Sequence, residues 1–198
     1  MVRDDIGIST EAERKGEREK WIGIYIAVLA VVLAICGMGG SNATKEATLK
    51  NIEASNTWAF FQAKNIRRHV LRVQVDELEL LVASQPNMPE AAKTALEAKI
   101  QQYRAQEKAL SSDPQSGEGL QELQEKGKTL QAERDVAMKR DPYFDFSQAL
   151  LQISIVVASA AMIVGGNFLL IVSGLAGAFG VLLTLNGFTL MFAIPGIG

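Results

Sequence analysis

Histidine and cysteine are nearly missing from this chain, and charge is missing altogether from its last quarter. The 198 residues include one histidine, His69, and one cysteine, Cys36. A metal centre built from several His and Cys ligands is therefore excluded within one chain. No catalytic triad forms from these parts unless another chain contributes. A lone cysteine also excludes an internal disulfide, and inside an apolar run it is a small packing residue. No Walker A or dinucleotide-binding glycine pattern occurs. The net charge is −2, so no basic field points to nucleic acid. The sequence is thus expected to encode no enzyme, cofactor site or metal site.

Residues 146–198 contain no Lys, Arg, Asp, Glu or His. A helix needs roughly 20 apolar residues to cross the ~30 Å core of a bilayer. Two such runs, 146–164 and 168–192, are joined by Gly165-Gly166-Asn167. A third, 21–38, is read as an uncleaved anchor, because the stretch before it mixes acids with bases, unlike a signal peptide. Three spans follow.

Between the first and second spans lies a charged, helix-forming segment. The tail 1–20 holds Thr10 and Glu13, spaced as a capping box. It leads into a transmembrane helix over 21–39, with Trp21 and Tyr25 near the interface. Gly37, Gly39 and Gly40 predict a break there, with Ser41 or Asn42 capping the next helix. That helix has no Pro or Gly up to Gln85 and would be about 65 Å long. Ile52, Ala59, Ala63, Ile66, Val70 and Val73 recur at three- and four-residue spacings, with a gap near Asn56, as in a coiled-coil seam. Loops are expected near 86–89 and 111–119. On the return, Leu120, Leu123, Leu130 and Ala137 keep heptad register, with Gly127 and Arg134 between them. Asp141-Pro142 predicts an N-cap and first helical residue for a span over 142–165, and the last span covers 167–194. The two legs of 41–141 have similar helical length. This favours a long antiparallel hairpin stalk over a three-helix bundle broken at Ser55-Asn56. The fold class is an all-α membrane protein, three transmembrane helices plus a coiled-coil-like hairpin.

Residues 54–67 (ASNTWAFFQAKNIR) and 131–159 (QAERDVAMKRDPYFDFSQALLQISIVVAS) resemble a bacterial three-span membrane-protein family known only as a domain of unknown function. The order of parts is similar as well, a span, a helical segment and two closing spans. The resemblance implies this architecture and no activity.

The candidate interaction surface is Trp58, Phe60 and Phe61, because large aromatics dominate cores and interfaces. Gly174, Gly177 and Gly180 join it, because small residues let helices in lipid approach closely. Gln148, Gln152 and Ser159 share one face of the second span and form a candidate intramembrane polar face. Lys64, Arg67, Arg68, His69 and Arg72 are read as a solvated face, with Arg72 pairing to Asp76 along the helix. The functional expectation is a non-enzymatic structural or accessory membrane protein in the bacterial inner membrane. Its partners would be the lipid bilayer and either further copies or a larger complex. A small oligomeric channel and a sensory protein are the alternatives. Arg14, Lys15, Arg18 and Lys20 outnumber Lys45 and Lys50, which places the N-terminus in the cytoplasm and the stalk in the periplasm.

Overall fold

The computed structural model describes residues 2–194, with side chains from Arg14 onward. Among the described residues are four helices and no strand: α1 (Val2–Ser84), α2 (Glu90–Ser111), α3 (Leu120–Val164) and α4 (Asn167–Thr189). Parts of α1, α3 and α4 are long and apolar enough to cross a membrane. The chain divides into two compact units, one of residues 1–47 and 135–198, the other of residues 48–134.

Three expected helix boundaries are absent. The backbone is already helical from Val2, so Thr10 does not start the helix; the side chains of its expected capping box lie outside the described ones. Gly37, Gly39 and Gly40 do not end α1, nor do Ser41 and Asn42 cap a new helix, because α1 continues through them for 83 residues in all. The glycines make room instead. A Cβ on Gly39 would lie 2.5 Å from the Phe144 ring, and one on Gly40 would lie 3.2 Å from Phe144 Cβ. Close packing recovers what helical glycine costs in chain entropy. Pro142, likewise, lies inside α3 and does not begin a helix. It removes one backbone donor from the ladder. Side chains bridge α1 and α3 at this level: Thr44 Oγ1 donates to Asp141 Oδ1 at 2.9 Å and Arg140 reaches Glu46 at 3.6 Å.

In the first unit, all three helices pack through positions in heptad register, spaced by three, four or seven residues. On α1 these are Ile22, Leu29, Cys36, Gly39 and Ala43, all buried. On α3 they are Phe144, Ser147, Leu151, Ser154, Ala158 and Ala161, and on α4 Ser173, Gly177, Gly180, Thr184 and Gly187. This periodicity is that of left-handed helix packing with a shallow crossing angle. Phe144 and Phe188 meet edge to face, centroids 4.9 Å apart. After α4, Leu190 turns in the left-handed region (φ 49°). The following backbone is held by Asn186 and Tyr143: Asn186 Nδ2 donates to Phe192 O (2.8 Å), Phe192 N to Asn186 Oδ1 (3.0 Å) and Ile194 N to Tyr143 Oη (3.0 Å).

In the second unit, α2 and then the start of α3 run antiparallel to α1. Lys50 pairs with Glu133 (2.9 Å), Trp58 packs on Gly127, Lys64 donates to Glu118 O, Arg72 pairs with Glu107 and Arg104 with Glu79. α1 does not break at Ser55-Asn56. The basic run is thus no purely solvated face, since Arg72 reaches across to Glu107.

The joint between α2 and α3 is a hydrogen-bonded loop. Ser116 Oγ and N donate to the Asp113 carboxylate (2.6 and 3.2 Å), and Ser112 Oγ donates to Glu122 Oε1 (2.7 Å). A Cβ on Gly119 would meet Glu122 Oε2 at 2.1 Å. The Ser116 bonds hold the Asp113 carboxyl below its ordinary range, and the Ser112 bond does the same for Glu122. A lowered carboxyl pKa stabilises the fold above the ordinary carboxylate range and loses that contribution as pH falls through it. The protection factors of the Ser116 and Gly117 amides, each taken against the intrinsic exchange rate at the same pH, should therefore fall on acidification from pH 7 to pH 3 before those of the flanking helices do. Equal protection of the loop at both ends of that range would show that the carboxylates do not hold it.

Candidate interaction faces

α1 carries two heptad seams, and the chain uses the less apolar one for itself. In the second unit the inward positions are Lys50, Ala54, Thr57, Phe61, Lys64, Arg68, Leu71, Val75, Leu78 and Val82, all buried or half-buried. Lys and Arg stems cover apolar surface while their heads pair at the rim, which lets this mixed face serve as a core. The more apolar seam predicted from the sequence faces outward. Ile52, Ile66, Val70 and Val73 are 51, 63, 51 and 54% exposed, and Ala59 and Ala63 are exposed too. Leu49 (60%) extends this outer seam at one end and Leu80 (70%) at the other. Ile66 and Val70 also wall an open apolar groove of about 490 Å³, completed by Leu71 and Leu110.

The three aromatics divide. Trp58 is half-buried, with its ring against Gly127, where a Cβ would lie 2.8 Å from Cε2. It meets the half-buried Phe61 edge to face at 5.5 Å. Both pack within the unit. Phe60 points out (41% exposed), with Lys64 Nζ 4.8 Å from its ring centre.

The glycines of α4 divide in the same way. Gly177 and Gly180 face the neighbouring helices of the unit and are not free to meet another chain. A Cβ on Gly177 would lie 2.9 Å from both Ser154 Oγ and Tyr25 Oη, and one on Gly180 would lie 2.8 Å from Leu151 Cγ. Only Gly174, of the three, has open space beside it.

The expected intramembrane polar face is not turned inward. Gln152 and Ser159 are exposed and Gln148 is half-buried. Ser159 Oγ donates to Ile155 O of its own helix (2.9 Å). The interior instead holds short hydroxyls. Ser154 Oγ donates to Ser173 O (2.7 Å), Ser173 Oγ to Ser154 O (2.8 Å), and Tyr25 Oη lies 3.0 Å from both Ser154 Oγ and Ser173 O. Ser147 Oγ donates to Gly180 O (2.6 Å) and meets Thr184 Oγ1 at 2.5 Å. Thus α1, α3 and α4 share one hydrogen-bonded cluster. A serine hydroxyl can both donate and accept at close helix separation, whereas a glutamine needs more room. The signal for these residues was the half-heptad series Ser147, Leu151, Ser154, Ala158 and Ala161, small or hydroxyl-bearing at every position but Leu151.

Arg18 supplies the charge that the α3–α4 turn lacks. Its Nη1 donates to Gly165 O (2.7 Å) and its Nη2 to Gly166 O (3.2 Å). These carbonyls follow the end of α3, where a cation is favourable.

No curated protein and no solved structure matches the chain. Residues 18–190, which include all the faces just described, match a family described as a domain of unknown function, DUF4337, and the chain belongs to that family.

Proposed function

We propose that the protein is a non-enzymatic structural or accessory component of the bacterial inner membrane. α1, α3 and α4 form its three-span anchor, and residues 48–134 form an antiparallel helical stalk that binds other protein. The observation that carries this reading is the outer seam of α1. Large aliphatic side chains from Leu49 to Leu80 are more than half exposed on a segment outside the apolar spans. Contiguous apolar surface facing water marks a protein interface. The basic residues before the first span, with Arg18 beside the α3–α4 turn, favour a cytoplasmic N-terminus and a periplasmic stalk. Purification in mild detergent, with light scattering and mass spectrometry, is expected to give a mass above that of one chain. A single chain with no companion would overturn the assembly reading. Protease added to intact spheroplasts should cut the 111–119 loop; protection until the membrane is opened would reverse the orientation.

A further inference from the structure

We infer that the outer seam of α1 is occupied by the same seam of a second copy, parallel and in register, with Asn56 paired to Asn56. This rests on the assembly reading above and names the partner.

Four features carry it. First, the seam has heptad spacing: Leu49, Asn56, Ala63 and Val70 alternate with Ile52, Ala59, Ile66 and Val73. Apolar side chains at 3.5-residue intervals fit another helix wound around the first, not a flat or globular surface. Second, its one polar residue matches itself. The Asn56 amide both donates and accepts, so two copies satisfy each other. A single Asn among apolar seam residues is also a device that specifies register and strand number.

Third, the flanks tolerate a like chain. In a parallel pair, flanking residues meet five positions apart. That brings Thr48 to Glu53, Ser55 to Phe60, Gln62 to Arg67 and His69 to Gln74 of the other copy. No two like charges face each other over this length. Beyond Val73 the next seam residue is Glu77, which would face itself, so the contact ends at Val73. Fourth, copies threaded through one bilayer in the same direction meet parallel. Equal chain length from the membrane brings equal residue numbers level.

The test is disulfide linking of the full chain in its own membrane, in a Cys36→Ser background. Ile52→Cys, Ile66→Cys and Val73→Cys should each link to the same position of a second copy. Each should give a band of twice the mass, at least tenfold stronger than that from Ala95→Cys, an exposed position on α2. Three separate homotypic links are possible only in a parallel, in-register pair, because a disulfide needs Cα atoms within about 7 Å. Adding Asn56→Asp should cut the Ile52 and Ile66 yields at least fivefold, while an unpaired surface Asn would leave them unchanged. Equal linking at Ala95 would indicate random collision and overturn the inference. Seam cysteines that link to a chain of different mass would also overturn it, and would leave the assembly reading standing. Seam cysteines that label fully with a water-soluble maleimide, and link to nothing, would remove both.

Discussion

Gly177→Leu is expected to dismantle the packing of α4 on α1 and α3, while Gly174→Leu leaves it intact. At 177 the first added carbon already meets Ser154 Oγ, Tyr25 Oη and Leu29 Cδ2 at 2.9–3.1 Å, and three more carbons must follow. Overpacking of this kind costs about 1–3 kcal/mol. The displaced hydroxyls add to that, since interhelical hydrogen bonds in membranes contribute about 0.6 kcal/mol each. A loss of about 3 kcal/mol would remove a large part of the stability of an ordinary domain. Gly180→Leu, driven into Leu151, should behave alike. At Gly174 nothing lies within 4 Å of an added Cβ, so the melting temperature in mild detergent should not move. Equal melting of the 174 and 177 variants would refute the inward placement of Gly177. A drop in assembly mass for Gly174→Leu alone would assign the open face of α4 to contacts between chains.

The second large effect is expected at Trp58 and its counterpart Gly127. Trp58→Ala removes a ring that fills the space left by the missing side chain of Gly127, at a cost of about 3 kcal/mol. Gly127→Leu should cost a similar amount by expelling the ring. Trp58→Phe should be much milder, because the indole Nε1 is buried with no hydrogen-bond partner among the described residues and an unpaired buried donor is itself a penalty. Tryptophan fluorescence offers a check, since the chain has two tryptophans and Trp21 is 71% exposed. With Trp21→Phe as background, Gly127→Leu should shift the emission of Trp58 to the red. An unshifted spectrum would mean that the ring does not rest on Gly127.

The apolar runs were legible because a bilayer imposes a composition, and no local competition hides a stretch free of charge. The helix boundaries were not. Gly39 and Pro142 are helix breakers by local propensity, yet α1 and α3 pass through both. Propensity differences of about 1 kcal/mol for Gly yield to packing such as that of Phe144 on Gly39. The coiled-coil spacing of α1 was visible, but spacing alone does not say what a seam meets. The seam Ile52–Val73 faces outward, while the chain packs on a face that includes Lys50, Thr57, Lys64 and Arg68. Those residues look solvated as letters and act as apolar stems with paired heads. On α4, the one-dimensional spacing of Gly174, Gly177 and Gly180 does not say which of them meets Tyr25 and which stays open. Gln148 and Gln152 are the larger polar side chains of the second span, whereas the hydroxyls that join the helices are those of Ser147 and Ser154.

The shared hydroxyl cluster has a consequence in time. Tyr25 is synthesised 129 residues before Ser154 and 148 before Ser173. At about 5–20 residues per second, the first helix waits roughly 7–30 s for the last of its partners. During that interval its tyrosine hydroxyl has neither of them. The waiting helix has the highest mean hydropathy of the three apolar segments, 2.5 against 1.9 for α3 and 2.3 for α4, so it is the one best suited to reside alone in lipid. The serine-bearing α3 is followed within a few residues by α4, which answers its hydroxyls almost as soon as it emerges. Chain order thus matches how long each helix must remain unaccompanied, and moving the tyrosine to the late helices would leave the early one without the group that closes the bundle.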